Sequence, residues 1–445
     1  MSALSPNVYR DILKVRAAHA FDVGGFLMRF YCYMTNIGVV TMITLSGYSF
    51  LLAGLLSSLI ALTSFIVTPR ISKLVDERGQ SRVVPMASLV TLAGLAGMVA
   101  CVMLHVPTPL LFACAFLMGC MPSPPALVRA RWTYLVRTGR LGDRSPELRT
   151  VFSYEGIIDD VGFMVAPPLS ITLAAAINPV AGMVFGGAAF AIGATVLTLA
   201  RSSEPEPGWS GESPDAHGFD AGQSRQGAAR GPAFDKRLHD TSKTVFRTSP
   251  VVRILFMMLF CVGGFYGLFD TAAVALAQEL GNPNIASAVL ALSCGVSVAT
   301  GFLFGMLRLR MPQYAQLVLT GSLLGAAYCF VFLIDSIPTL FGIGIAAALF
   351  YAPFLITANA TCERAVPGHR FTEAITWVNA GTTCGMAMGP TLAGFLIDVW
   401  GAPAAFDLGA VMALVLLLTS VLSRRTLERG VLDDVDFHLQ RTGNR

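Results

Sequence analysis

Twelve long apolar runs follow one another along the chain, separated by short polar gaps. They fall at 24–45, 48–68, 83–104, 108–128, 150–176, 179–200, 251–277, 285–307, 314–334, 338–361, 372–397 and 402–423. Each is long enough to cross a hydrocarbon core of roughly 30 Å as a helix, which takes about 20 residues. Helix is the required form, because lipid offers the backbone no hydrogen-bond partners. Alternate gaps are very short, as at Ser46-Gly47 and His105-Val106-Pro107. The pattern predicts an all-α polytopic membrane protein of twelve transmembrane helices.

One gap is long. The stretch 201–247 opens with Glu204-Pro205-Glu206-Pro207-Gly208 and is rich in Gly, Ser, Asp, Arg and Gln. It cannot bury enough apolar surface to fold alone and reads as a disordered linker. The expected organisation is a six-helix bundle over 1–200, the linker 201–247, a second six-helix bundle over 248–423 and a tail over 424–445.

Charge fixes the direction of insertion. Arg10, Lys14 and Arg16 precede span 1; Arg70, Lys73, Arg78 and Arg82 follow span 2; six arginines from Arg129 to Arg149 follow span 4. The long sixth gap mixes basic and acidic residues, and Arg308 and Arg310, Arg364 and Arg370, and Arg424, Arg425 and Arg429 continue the series, whereas the odd-numbered gaps hold no Lys or Arg. Cationic loops stay in the cytoplasm, so both termini are expected there, in a multi-pass protein of the cytoplasmic membrane. No cleaved signal is read ahead of span 1, which serves as the insertion signal itself. Hydrophobic residues make up 54% of the chain and charged ones 13%, and mean hydropathy is +0.64. The net charge of +4 belongs to loop anchors and marks no nucleic-acid surface. Nine cysteines and six histidines are scattered without metal-ligand spacing, so no metal and no cofactor is expected.

The halves repeat each other. Gly162-Phe163-Met164-Val165-Ala166-Pro167-Pro168-Leu169 in span 5 and Gly385-Met386-Ala387-Met388-Gly389-Pro390-Thr391-Leu392 in span 11 share one spacing at equivalent places. Parallel repeats of this kind are a transporter design. On these residues the chain resembles the major facilitator superfamily over roughly 24–200 and 251–423. The family's loop after span 2 reads G-x-L-x-D-R-x-G-R-[RK]. Here Leu74, Asp76 and Gly79 match within Ser72–Arg82, while Ser72, Glu77 and Gln80 depart from it. The span 5 segment is similar to the antiporter signature G-x-x-x-G-P-x-x-G-G, with Ala166 and Pro168 departing. The run Pro122–Trp132 resembles an actinobacterial branch of efflux permeases. The resemblance implies alternating access between two six-helix bundles, a span 7 that lines a central cavity, and gating or flexing roles for Leu74, Asp76, Gly79, Gly162, Pro167, Gly385, Gly389 and Pro390.

Charges inside spans are the candidate chemistry, since a mid-membrane charge costs roughly 2.5–3.5 kcal/mol on insertion scales. Arg29 in span 1 and Glu155, Asp159 and Asp160 in span 5 lie at comparable depth. Glu155 and Asp159 share a helix face, and Asp160 points about 100° further round. They read either as a static pair with Arg29 or as a proton or cation carrier. Asp270 in span 7 has no cation at its depth, which suits a protonation switch. Asn359 in span 10 and Trp377 and Asn379 in span 11 are further candidates for binding solute, with helix packing as the alternative. Glu373 opens span 11 beside the positive end of the helix. Arg129 and Arg131 are expected to face the cytoplasm, as snorkelling anchors or as gate residues paired with Asp76 or Glu155.

No G-x-x-x-x-G-K-[ST] pattern occurs, so ATP is not the expected driving force. The expected function is secondary active transport of a small organic solute, best read as proton-coupled export by a functional monomer. A sugar-like importer or facilitator is the alternative. A non-transporting sensor or scaffold would carry a folded soluble domain, and a membrane enzyme would carry a His or Ser/Asp cluster at one face; neither is seen.

Overall fold

The computed structural model describes residues 15–141, 146, 148–209, 244–307, 311–366 and 370–431. Arg10, Lys14, Arg144, Arg308 and Arg310, the middle of the linker and the last fourteen positions lie outside the described residues. Every long element is a helix, and the chain divides into two units, Met1–Tyr48 with Leu59–Gln223 and Ser49–Ser58 with Ser224–Arg445.

Among the described residues, helix occupies all twelve of the expected span positions. In the first half they are Arg16–Leu45, Phe50–Arg78, Gln80–Leu104, Thr108–Arg137, Leu148–Ala176 and Ala181–Leu199. In the second they are Pro250–Glu279, Asn284–Met306, Gln313–Leu333, Ile337–Ala365, Phe371–Trp400 and Ala402–Leu422. Eleven of them are apolar and long enough to cross a membrane by composition. The remaining one, Phe371–Trp400, has 30 residues, and its threonines, glycines and asparagine dilute its apolar content.

Three local departures from the sequence pattern have clear causes. Span 2 does not stop near residue 68. It continues through Pro69 to Arg78, and Gly79 alone, at φ +90°, joins it to span 3. That φ is open to glycine and costly for any side chain. Span 4 is not continuous: helix ends at Gly119 and restarts at Pro124. Pro122, Pro124 and Pro125 remove the amide donors that would carry the helix across. The freed carbonyls of Gly119 and Met121 accept hydrogen bonds at 3.0 Å from Ser64 and Thr68 of span 2, which makes the break tolerable at membrane depth. The linker, expected to be disordered from 201 to 247, is ordered at both ends. Arg201–Ser203 forms a turn of 3-10 helix, the Gly208 amide donates to the Asp76 carbonyl at 2.8 Å, and Trp209 packs edge-on against Tyr134. At the far end Val245–Thr248 is helical, with Val245 buried.

Small residues set the helix crossings. In the first unit, a Cβ on Gly24 would lie 2.9 Å from the Gly193 carbonyl, so spans 1 and 6 meet backbone to backbone. In the second unit, Gly267 and Gly389 face each other, and a Cβ on either would lie within 3 Å of the other's Cα. Dispersion between closely approaching backbones is the main attraction available inside lipid. The residues Ser49–Ser58 group with the second unit for the same reason. The Phe50 and Leu51 amides donate to the two carboxylate oxygens of Asp398 at 2.9 and 2.8 Å, and Ser58 bonds the Ala387 carbonyl and Thr391. The described part of the tail is also docked: Leu427 is buried, and Tyr314 bonds Glu428 at 3.2 Å.

Candidate functional site

The first unit gathers a charged cluster from spans 1, 4 and 5. Arg29 is buried and donates to Glu155, which is equally buried. Its Nε lies 3.3 Å from Asp159, one helical turn beyond Glu155. Asp159 also accepts from the Tyr33 hydroxyl at 2.6 Å and from Arg129 at 3.0 Å. Two guanidinium groups therefore meet two carboxylates, so the cluster is neutral overall. Charge-assisted hydrogen bonds of this kind are about twice as strong as neutral ones, which offsets part of the cost of burial. One Glu155 oxygen, Oε1, remains buried without a hydrogen-bond partner. Asp160 is exposed on another face of span 5 and is not part of the cluster. Asp22 lies nearby and accepts from the Trp132 indole at 2.8 Å.

The second unit holds Asp270. It forms no ion pair among the described residues, and its Oδ1 is buried without a hydrogen-bond partner. Beside it stand Cys294 of span 8 and Tyr328 of span 9, and Tyr266 lies one turn earlier on span 7. The Tyr266 and Tyr351 rings meet edge to face at 4.6 Å, and Tyr266 and Tyr328 at 6.1 Å. Phe265 stacks on Tyr328 at 3.5 Å. The Ser293 hydroxyl is likewise buried without a hydrogen-bond partner.

The residues expected to gate are placed as follows. Leu74 and Asp76 ride on the last turns of span 2, and Gly79 is the hinge to span 3. Arg131 is not an exposed anchor and does not reach Asp76 or Glu155. It is fully buried and donates to Gln80 at 2.7 Å, Ser203 at 2.9 Å and the carbonyls of Ala200 and Leu197 at 2.5 and 2.9 Å. It thereby ties span 4 to the start of span 3 and the end of span 6. Arg129 reaches Asp159 instead of Asp76 or Glu155. Glu204, from the start of the linker, accepts from the Ser81 amide at 2.8 Å, where the positive end of span 3 favours an acid.

Glu373 accepts from the Val245 amide at 2.7 Å and from Arg370 at 2.9 Å. Trp377 packs its ring on Phe246 at 4.8 Å, and Asn359 and Asn379 are exposed on their helices. Gly162 lies under the Tyr33 ring, Gly385 against the backbone of Phe260 and Gly264, and Pro167 and Pro390 inside unbroken helices. The sequence reading passed over Tyr33, Gln80, Glu204, Tyr266, Ser293 and Tyr328. Helical spacing flags two of them: Tyr33 is four residues after Arg29, and Tyr266 four before Asp270.

Comparison with known proteins adds the family context. The family description of the Major Facilitator Superfamily matches residues 21–334 and 255–435. Among solved structures, an auto-inhibited POT family peptide transporter superposes with a TM-score of 0.65 at 16% identity, covering 94% of this chain and 98% of that one. The nucleoside transporter NupG gives 0.64 at 12%, covering 92% and 99%. A bacterial homolog of the human lysosomal transporter Spinster, inward-facing and unoccupied, gives 0.57 at 16%, covering 97% and 100%. At these identities the likeness is one of fold. No curated protein matches the chain.

Proposed function

The chain belongs to the major facilitator superfamily, and from that premise we propose that it is a secondary active transporter that exports a small organic solute in exchange for protons. The observation that carries this reading is Asp270, a carboxylate inside a membrane span with a buried, unpartnered oxygen and no cation beside it. Such groups are costly in a membrane and mark substrate or proton pathways. Asp270 is the coupling acid in this reading. The Arg29–Glu155–Asp159–Arg129 cluster, already neutral, holds spans 1, 4 and 5 and is open to rearrangement during the cycle. Leu74, Asp76 and Gly79 at the cytoplasmic turn, with Glu373 at the start of span 11, are the gating set. Export is favoured over import by the likeness of the Gly162–Leu169 segment to an antiporter signature.

The relatives in fold named above are transporters of peptides and nucleosides, which fits a polar organic solute of modest size. The cationic loops support placement in the cytoplasmic membrane with both termini inside, and the protein works as a monomer. A potential of 100 mV is worth about 2.3 kcal/mol per charge, enough for one proton to sustain a gradient of about fifty-fold.

The test is reconstitution into proteoliposomes with an imposed pH gradient and a library of organic solutes. Accumulation of at least one solute is expected, driven by the gradient and abolished by a protonophore. Accumulation indifferent to both would remove proton coupling, and no movement of any solute would remove transport.

A further inference from the structure

We propose that Arg201–Trp209, the segment leaving span 6, is a strap whose tip closes over the Gly79 joint between spans 2 and 3, and that its opening and closing regulates the cytoplasmic turn. The regulatory consequence rests on the transporter reading above.

The joint is a single residue. Span 2 ends at Arg78, span 3 begins at Gln80, and Gly79 between them has φ +90°. One residue has only two soft dihedrals, so bending at this turn is concentrated in Gly79. Helix ends leave their last carbonyls and first amides without partners inside the helix. The strap answers one group on each side of the joint. The Gly208 amide donates to the Asp76 carbonyl at 2.8 Å, in the last turn of span 2. Glu204 accepts from the Ser81 amide at 2.8 Å, in the first turn of span 3. Over Gly79 itself stand Glu204 and Pro207: a Cβ there would lie 2.9 Å from Glu204 Oε1 and 3.5 Å from the Pro207 ring. A segment bonded to both sides of a one-residue joint fixes its angle.

The strap is held very differently along its length. At the root, Ser203 is fully buried, and Arg131 donates to it at 2.9 Å and to the Ala200 carbonyl at 2.5 Å. At the tip, Glu206, Pro207 and Gly208 are exposed. Glu206 accepts from the Tyr134 hydroxyl at 3.2 Å and lies 3.8 Å from Arg140, a pair open to solvent on both sides. Trp209 packs edge-on against Tyr134 at 5.2 Å, and the Arg140 guanidinium lies 4.8 Å over the same ring. Solvent-facing ion pairs contribute little, and elements with few buried contacts open locally while the rest stays folded. The buried root keeps the tip beside the joint, so reclosing is an intramolecular event. A firm root and a weakly held tip suit a strap that opens and closes. Closed, it holds Asp76 and Gly79 in one geometry; open, it frees the turn to bend.

The test is hydrogen–deuterium exchange of the purified full-length protein, read by mass spectrometry on peptides covering residues 76–84, beside the thermal unfolding midpoint. Gly208 has φ +79° and nothing within 4 Å of its Cβ position. Gly208→Pro therefore removes the amide donor and the required φ without crowding a neighbour. Glu204→Ala removes the acceptor of the Ser81 amide, and Glu204→Gln keeps one. Glu204 also faces the buried Arg131, so its variants are read beside Gly208→Pro. Exchange in the 76–84 peptides should quicken by about tenfold or more in Glu204→Ala and by less in Glu204→Gln. In Gly208→Pro the Ser81 amide keeps its acceptor, yet it should exchange about threefold or more faster, because the tip opens as one piece. Midpoints should stay within about 2 °C of wild type. In proteoliposomes, solute exchange at saturation should quicken by about threefold or more in Gly208→Pro. Unchanged exchange at 76–84 in Glu204→Ala and Gly208→Pro would overturn the strap. Faster exchange throughout the first unit with a lower midpoint would make the segment part of the core, and overturn it too. Faster exchange at the joint with unchanged turnover would overturn the regulatory role. Should Gly208→Pro misfold, Glu204→Ala against Glu204→Gln decides, by the joint peptides and by turnover. A wild type that moves no solute would sink the functional reading and the regulation with it, and the deuterium exchange would still decide whether the strap holds the joint.

Discussion

Glu155 is buried against Arg29, and the pair joins spans 1 and 5 of the first unit. Removing one partner of such a pair strands the other charge, which typically costs 3–5 kcal/mol. Glu155→Gln should therefore lower thermal stability in detergent sharply. Asp159 lies 3.3 Å from Arg29, so it takes up part of the stranded charge and the loss should sit near the lower figure. The double variant Arg29→Met/Glu155→Leu should recover much of it. Asp160→Asn, on an exposed face, should change stability by less than about 0.5 kcal/mol. Equal losses for Glu155→Gln and Asp160→Asn would contradict the pairing.

Two arginines two residues apart should behave differently. Arg131 is buried, and its removal takes a donor from Gln80, Ser203 and the Leu197 carbonyl, while the Ala200 carbonyl keeps the Ser203 hydroxyl. At roughly 1–3 kcal/mol for each buried group left unpaired, Arg131→Met should cost several kcal/mol and reduce the yield of folded protein. Arg129 is 44% exposed, and Arg129→Met should cost no more than about 1 kcal/mol. Unfolding midpoints of the two variants settle the comparison. A mild Arg131→Met would mean that these hydrogen bonds are not formed in the membrane.

Gly385 and Gly389 allow the close crossing of spans 7 and 11. A Cβ on Gly389 would lie 2.6 Å from the Gly267 Cα. Gly389→Leu should force the helices apart and cost about 3 kcal/mol or more, the upper end for overpacking. Gly305→Ala, where nothing lies within 4 Å, should be neutral or stabilising by up to about 1 kcal/mol. Similar stability for both variants would show that the crossing is looser than described.

Much of this fold was legible because the bilayer imposes it. A run of about twenty apolar residues has few alternatives to a helix, so the number and order of the spans follow from hydropathy. Partnerships made by residues far apart in sequence were not legible. The break in span 4 is written in Pro122, Pro124 and Pro125, yet what makes it tolerable is Ser64 and Thr68 on another helix. Arg131 looks like any cationic anchor until Gln80, Leu197 and Ala200 are seen around it. The linker reads as too polar to fold, and alone it would be. Its ends are ordered because Glu204 meets the start of span 3 and Val245 meets Glu373. In the same way Asp270 announced itself as an isolated acid, while Cys294 and Tyr328 carry no signal in their own neighbourhoods.

Topology follows from the cationic loops and has a direct test. Reporter fusions after residues 47, 106, 178, 281, 336 and 400 should report the outside, and fusions after 80, 140, 220, 310, 368 and 440 the cytoplasm. Two or more reversals would break the alternation that the positive-inside rule requires, and with it the equivalence of spans 5 and 11.

The decisive variant for coupling is Asp270→Asn. The side chain has no ion pair to lose among the described residues, so no stranded cation results and the variant should be well folded. An amide keeps the shape of the carboxyl group but cannot take up a coupling proton. A carrier with that change can still bind solute and reorient when loaded. Asp270→Asn proteoliposomes should therefore lose accumulation driven by a pH gradient. Exchange of labelled for unlabelled solute between equal pools should persist. Each assay serves as the control for the other, since misfolded protein would fail both. If Asp270→Asn retains full accumulation at wild-type solute concentrations, the proton travels elsewhere. Glu155, whose Oε1 is also buried and unpartnered, then becomes the first group to neutralise, together with Arg29 so that no charge is stranded.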